Sequence, residues 1–195
     1  MTLLALIRHL PTVWNEEGKL QGRTDVPPLH CEPATPWHAP VEFSQYLWLS
    51  SPLERCRATA RRLGVDAAVE PRLIEMDWGQ WEGRTLADLR GRLGAAMTAE
   101  EARGLDFRPP GGESPRDVQA RIAPLLAEIA TLGRDTAAIT HKGVIRAVLA
   151  LATGWDMLGK PPYRLSWSAV HLFRLDSRGH PSIERLNLPL ECEPR

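Results

Sequence analysis

The chain has 195 residues, 43% hydrophobic and 25% charged, the balance of a soluble globular protein with one core and too short for two ordinary domains. Lys plus Arg and Asp plus Glu number 24 each, so the formal net charge is zero, which argues against a general nucleic-acid or membrane-surface binder. Cys31, Cys56 and Cys192 form no Cys-x-x-Cys pair, so neither a zinc site nor a disulfide framework is expected and a reducing cytoplasm fits best.

The opening run Thr2 to Ile7 is apolar and ends abruptly at Arg8-His9. It reads as a buried strand, too short for a secretory signal. A polar stretch with Asn15, Gly18, Gly22 and Asp25 follows and has the composition of a functional loop. Prolines 27, 28, 33, 36 and 40 make a regular helix improbable there, since each interior proline removes a hydrogen bond and clashes with the preceding turn. Tyr46 to Leu49 reads as a second strand ending at Ser50-Ser51-Pro52. Leu53 to Leu63 has helical spacing of small and apolar residues and stops at Gly64.

Ala67 to Val69 is a candidate short strand, and Glu75 to Gly83 a Trp- and Gly-rich loop leading to a helix near Thr85 to Leu93. The clearest helix begins after Gly111-Gly112-Glu113. Ser114 suits the N-cap, Pro115 the first turn and Asp117 a capping box. Val118, Ile122, Leu125, Leu126 and Ile129 then mark one buried face, with Pro124 as a possible kink. Ala137 to Thr140 reads as a further strand, running at once into His141-Lys142-Gly143 and an apolar helix to about Thr153. The alternation around Ala169 to Leu175, with a turn at Ser177 to His180, suggests an antiparallel hairpin.

Strands alternating with helices imply a three-layer α/β/α sandwich with a mainly parallel central sheet, in a single domain spanning residues 1–195. Ligands collect at the carboxyl ends of the strands in such sheets. Two of the predicted strands end in histidine, at His9 and His141. A guanidinium beside an imidazole at such a strand end, as in Arg8-His9, can hold a phosphate while the neutral ring attacks phosphorus. One such pair alone is weak evidence, since a lone Arg-His pair is more often structural.

Joint motifs strengthen it. Arg8-His9-Leu10-Pro11-Thr12 with Trp14-Asn15 and Leu20-Gln21-Gly22-Arg23 resembles the opening signature of the histidine phosphatase superfamily, the phosphoglycerate mutase-like proteins. Ser51-Pro52-Leu53-x-Arg55 resembles the second arginine motif, Glu75 in Glu75-Met76-Asp77-Trp78-Gly79 the acid motif, and Gly111 to Ser114 and His141-x-Gly143-Val144-Ile145-Arg146 the remaining blocks. All five occur in order over nearly the whole chain. The resemblance implies that Arg8 and Arg55 clamp the phosphate oxygens, His9 attacks in line, and His141 donates hydrogen bonds as charge builds. Glu75 would protonate the leaving oxygen and then activate water, which requires a site that disfavours its charge. Asn15 and the backbone of Gln21 and Gly22 are the implied further phosphate contacts, and Lys142, standing where the family often has a small or polar residue, is expected to add charge to the substrate pocket.

Glu82 and Asp77 stand as rival acids. His30, His38, His171 and His180 have no metal-ligand spacing and read as structural. No metal and no cofactor are expected, because two arginines take the place of a cation. The expected partner is a small phosphorylated metabolite, with neither nucleic acid nor membrane.

Two departures stand out. Leu10 replaces the usual glycine after the nucleophile, which could narrow the pocket or shift His9. The proline-rich stretch replaces a helix of the relatives. The short segment between Glu82 and Gly111 favours a phosphomonoesterase open to water over a mutase that must retain its substrate. Leu20 to Asp25 most resembles the α-ribazole phosphatase and sugar-phosphate phosphatase branch. A phosphoglycerate mutase-type isomerase, and a catalytically weak phosphate-ligand binder motivated by Leu10, remain the alternatives.

Overall fold

A computed structural model describes residues 1–29, 37–38 and 40–192. Its order is β1 (Thr2–Arg8), α1 (Val13–Glu16), β2 (Trp37–His38), β3 (Leu47–Ser50), α2 (Glu54–Arg62), β4 (Ala68–Val69), α3 (Leu86–Leu93), α4 (Ala95–Glu101), α5 (Pro115–Leu132), β5 (Thr136–Thr140), α6 (Lys142–Thr153), β6 (Ala169–Leu175), β7 (Pro181–Pro189) and β8 (Glu191–Cys192). Six strands form one sheet in the order β4-β3-β5-β1-β6-β7. The four from β4 to β1 run parallel, and β6 and β7 are added antiparallel. The expected α/β fold with a mainly parallel sheet is the observed one.

The strand alternation of β1 divides the core in two. Leu4 and Leu6 pack with Ala138 against Val118, Ile122, Ile129 of α5 and Val144, Val148 of α6. Ala5 and Ile7 pack with Ala137 and Ile139 on the other face, against Cys56 and Ala60 of α2 and Phe43. A sheet covered on both faces needs near-continuous apolar strands, and β5 is buried at all five positions.

Local signals account for most boundaries. Ser114 and Asp117 form the capping box of α5, Pro115 opens it, and Gly133 closes it in the left-handed conformation. The helix runs through Pro124 without a break, because that residue faces solvent. Three features differ from expectation. Helix α4 follows α3 across the single residue Gly94, has no side-chain N-cap bond and buries only Met97, so neither a capping residue nor an apolar face announces it. Strand β6 is buried on both faces, being interior to the sheet, so only β7 shows a solvated side. Within the proline-rich stretch, β2 pairs antiparallel with β8. Cys31 and His30 lie outside the described residues.

Register sets the site. Arg8 pairs with Thr140 across β1 and β5, and Ser50 with Ile139 across β3 and β5. The ladders continue one step further, His9 N–H donating to Thr140 O at 2.9 Å and Ser51 N–H to Ile139 O at 2.9 Å. Three chain ends therefore leave the carboxyl edge of the sheet side by side.

Candidate active site

His9 and His141 follow paired residues on neighbouring strands, which brings their rings to 5.1 Å between centroids at 56°. His9 Nδ1 lies 2.5 Å from Leu10 O. A carbonyl only accepts, so Nδ1 carries the proton and Nε2 keeps its lone pair. Burial and the nearby Arg8 and Arg55 guanidinium groups lower the His9 pKa to about 3, so the ring is neutral at physiological pH. The structure thus places at the end of β1 an uncharged imidazole with its outer nitrogen available as a nucleophile.

Leu10 does not distort this. It takes no positive φ, so the dihedral freedom of a glycine is not used here. Its N–H donates to Thr59 Oγ1 at 2.9 Å, its carbonyl orients His9, and its side chain is buried. Thr59 Oγ1 in turn donates to Arg55 O at 2.7 Å, tying α2 to the backbone beside His9.

Arg55 stands in the first turn of α2 and is wholly buried. Its Nη2 donates to Gly22 O at 2.7 Å, Nη1 to Thr24 O at 2.8 Å, and Nε to His141 Nδ1 at 3.3 Å. Arginine can only donate, so His141 Nδ1 accepts and its proton sits on Nε2, 2.7 Å from Ser51 Oγ. His141 is fully buried, and burial first, then His9 and Arg55, hold its pKa well below the usual imidazole value. Ser51, at the end of β3, is the partner of His141 that the motifs alone did not assign. Cys56 Sγ also lies 3.4 Å from His141 Nε2, and burial raises its pKa, so it stays a thiol.

Glu75 reaches the centre from the segment after β4, which Thr140 Oγ1 anchors by donating to Leu73 O at 2.8 Å. Its carboxyl accepts from Met76 N–H at 2.8 Å and Gly143 N–H at 3.2 Å. Burial raises its pKa, and this outweighs the two backbone donors and the Arg55 and Arg8 charges that act the other way. The environment is the one a general acid requires. The rival acids are placed elsewhere. Glu82 accepts from Arg23 N–H at 2.6 Å, from Thr24 N–H at 2.9 Å and from the Thr24 hydroxyl. Asp77 accepts from Gly79 N–H at 2.8 Å and lies 3.4 Å from Arg23.

Glu82 in fact shapes the loop above Arg55. Gly22 has φ +55°, the left-handed region that favours glycine, and a Cβ there would lie 1.8 Å from Glu82 Oε1 and force that side chain to move. The Asn15 and Gln21 side chains build the same loop from within. Asn15 completes the Thr12 capping box of α1, and Gln21 Oε1 accepts from Thr12 Oγ1 at 2.9 Å and Asn15 Nδ2 at 3.3 Å. Asp25 caps the start of α2 through Glu54 N–H at 2.9 Å. The Gly111-Gly112-Glu113-Ser114 block supports the site from outside. Glu113 binds Arg23 at 3.0 Å and Arg121 at 3.1 Å while accepting from Asp77 N–H.

Arg8 is partly exposed, with its cation 5.7 Å from the Trp167 ring centroid, and its Nε is buried without a hydrogen-bond partner. Lys142 Nζ lies 5.2 Å from the same centroid. Of the remaining histidines, His171 is buried in β6 with Nδ1 accepting from Asn187 N–H at 3.4 Å, and His180 is exposed beside Asp176. The side chain of His38 is outside the described set. Among the described residues no three His, Cys, Asp or Glu side chains are grouped to share a metal ion, and no helix is long and apolar enough to cross a membrane.

The family model described as histidine phosphatase superfamily (branch 1) matches residues 4–189. The chain is 31% identical over 179 residues to a glucosyl-3-phosphoglycerate phosphatase of Mycolicibacterium vanbaalenii, spanning 80% of this chain and 78% of that protein. It is 28% identical over 176 residues to a 2,3-bisphosphoglycerate-dependent phosphoglycerate mutase of Gloeobacter violaceus, spanning 76% and 74%. A mycobacterial glucosyl-3-phosphoglycerate phosphatase solved with VO3 shares the fold with a TM-score of 0.76 at 22% identity, over 96% of this chain and 100% of that one.

Proposed function

The chain belongs to branch 1 of the histidine phosphatase superfamily, and from that premise we propose that it is a metal-independent phosphomonoesterase acting through a phosphohistidine on His9. The observation that carries this reading is the His9 tautomer, fixed by the 2.5 Å contact of Nδ1 with Leu10 O. It leaves Nε2 unprotonated in a site lined by two guanidinium groups and one buried carboxyl.

In this mechanism the phosphate of a small metabolite enters between Arg8 and Arg55, whose charges offset those of its oxygens. His9 Nε2 attacks phosphorus, a P–N bond forms and the P–O bond to the alcohol breaks. Glu75 gives its proton to the departing oxygen. Water then attacks the phosphohistidine, Glu75 takes its proton back, and phosphate leaves with His9 restored. Positioning and charge stabilisation account for most of the rate. His141 Nε2–H, now on Ser51, is the further donor available to an equatorial oxygen. Asn15, Gln21 and Gly22 act in this scheme chiefly by holding the loop that seats Arg55.

The mutase alternative has the similarity to phosphoglycerate mutases in its favour. Against it stands the short 83–110 segment, which folds onto itself as α3 and α4 around Leu89 and Met97. The narrower likeness to the α-ribazole and sugar-phosphate phosphatase branch rests on Leu20 to Asp25. That loop is occupied with Glu82 and Arg55, so it does not narrow the substrate. The test is phosphate release from a panel of phosphomonoesters in EDTA. Release that disappears in His9→Ala, with acid-labile phosphate on the wild-type protein, supports hydrolysis. Isomerised phosphoglycerate without net release would favour the mutase, and ligand binding without turnover would favour the weak phosphate binder.

A further inference from the structure

The two guanidinium groups of the proposed clamp are held in different ways. Arg55 is wholly buried and donates to Gly22 O, Thr24 O and His141 Nδ1, so three acceptors fix its plane. Arg8 is half-buried, and among the described residues its guanidinium makes no hydrogen bond or ion pair, with Nε buried and unpartnered. Charge at a distance fixes it poorly, since Glu75 attracts it and Arg55 repels it. A long side chain left in this state keeps much of its rotamer freedom and must lose it when an anion binds. The contact that remains is the face of Trp167, whose centroid lies 5.7 Å from the Arg8 cation.

The segment carrying Trp167 is held at a cost to the backbone. Ser166 N–H donates to Asn187 Oδ1 at 2.6 Å and Asn187 Nδ2 to Arg164 O at 3.0 Å, so one side chain of β7 grips the chain just before the tryptophan. Asn187 adopts φ +61°, one of two non-glycine residues with a positive φ among those described. It stands in a bulge: Val170 faces Leu188 and Leu172 faces Arg185, which leaves Leu186 and Asn187 opposite His171. His171 Nδ1 accepts from Asn187 N–H at 3.4 Å, and its ring meets Trp167 at 6.4 Å and 75°. Bulges and strained residues of this kind re-aim side chains beside functional sites. Here the side chain so aimed is the ring under Arg8.

We infer that Trp167, seated by Asn187, is the positioning residue of Arg8, holding its guanidinium at the carboxyl edge of the sheet ahead of phosphate. A ring suits this task better than a carboxylate. Stacking restrains the guanidinium plane yet leaves its N–H edge free to donate, whereas an acidic partner would occupy the donors that phosphate needs. The role rests on the reading of Arg8 as a phosphate clamp and not on hydrolysis, so binding tests it.

The experiment is calorimetric titration of the full chain with inorganic phosphate. Trp167→Leu should weaken binding about fivefold to tenfold, the scale of one partly desolvated cation–π contact, while Trp167→Phe should retain most of the affinity. Asn187→Gly keeps the backbone angle, deletes both side-chain bonds and should show part of the same loss. Because the ring also lies 5.2 Å from Lys142 Nζ, a double-substitution cycle isolates the share that passes through Arg8. Added to Arg8→Gln, Trp167→Leu should cost less than about threefold. Equal losses in both backgrounds, unchanged binding in Trp167→Leu, or a Phe variant as weak as the Leu one overturns the role, and full affinity in Asn187→Gly overturns the seating. If Arg8→Gln binds too weakly to titrate, the Phe and Leu comparison decides. If Trp167→Leu does not fold, Asn187→Gly takes its place in the cycle. Absence of phosphate binding by the wild-type protein overturns the clamp and this role together, whereas an intact cycle without phosphate release from any ester overturns only the hydrolytic reading.

Discussion

Gly143 stands so close to Glu75 that a Cβ on it would lie 2.3 Å from the carboxyl Oε1, while its N–H donates to Oε2 at 3.2 Å. The start of α6 thus fixes the proposed acid from two directions, by a hydrogen bond and by leaving it room. Gly143→Ala should push the carboxyl out of line. A displacement near 1 Å costs about 10²-fold in rate, so kcat should fall by about that factor while the melting temperature changes little. Unchanged kcat would show that the carboxyl position is not critical.

The acid role proposed for Glu75 has its own signature. Glu75→Gln removes the proton donated to the leaving oxygen, so turnover of an alkyl phosphate should fall by about 10³-fold, within the usual range for general acids. An aryl phosphate, whose leaving group needs no proton, should lose far less. The pH profile follows from the same group. Burial raises the Glu75 pKa, and the acid is active when protonated, so wild-type kcat/KM for the alkyl ester should decline as pH rises through that value. His9, lowered to about 3, is already deprotonated across this range and adds no limb of its own. Loss of the alkaline limb in Glu75→Gln is the expected result, and equal losses for both esters would remove Glu75 from this role.

Glu82 gives the contrasting case. It accepts from the backbone of Arg23 and Thr24 and so holds the loop whose carbonyls seat Arg55. Glu82→Gln trades charge-assisted hydrogen bonds, each worth about 1.5–3 kcal/mol, for neutral ones. The expected effect is a loss in kcat/KM of about tenfold, the same for alkyl and aryl esters. A loss confined to the alkyl ester would make Glu82 the acid instead.

How much of this was legible beforehand depended on the kind of signal. Arg8 and His9 stood out at a strand end; Arg55, Glu75 and His141 could be named because five ordered motifs resemble those of the histidine phosphatase superfamily, and the sheet register brings them together. Ser51 was part of a motif, but its bond to His141 depends on the β3–β5 register, which no local pattern states. Helix α4 escaped because it follows Gly94 with no side-chain cap and buries only Met97, so it shows neither a start signal nor an apolar face. The pairing of β2 with β8 joins residues about 150 apart along two-residue strands, too short for any periodicity to register. Trp167 is invisible for a similar reason, since its contact with Arg8 and Lys142 exists only once β1, α6 and the segment before β6 are assembled.

Leu10 is where the motif and the structure part most clearly. The glycine of the family pattern suggested that a leucine would crowd or displace the nucleophile. Instead Leu10 adopts ordinary backbone geometry, orients His9 through its own carbonyl, and buries its side chain with 7% exposure. Restoring glycine should therefore harm the protein. Leu10→Gly deletes a buried side chain and loosens the backbone that presents His9, at a cost of about 4 kcal/mol. For a chain of this length that corresponds to a fall of roughly 10 °C in Tm. The activity should not rise above wild type, because the atom that orients His9 is a backbone oxygen already in place. A thermal melt and kcat/KM on one phosphomonoester decide the matter, and a variant that is both as stable and more active would mean that Leu10 obstructs the site.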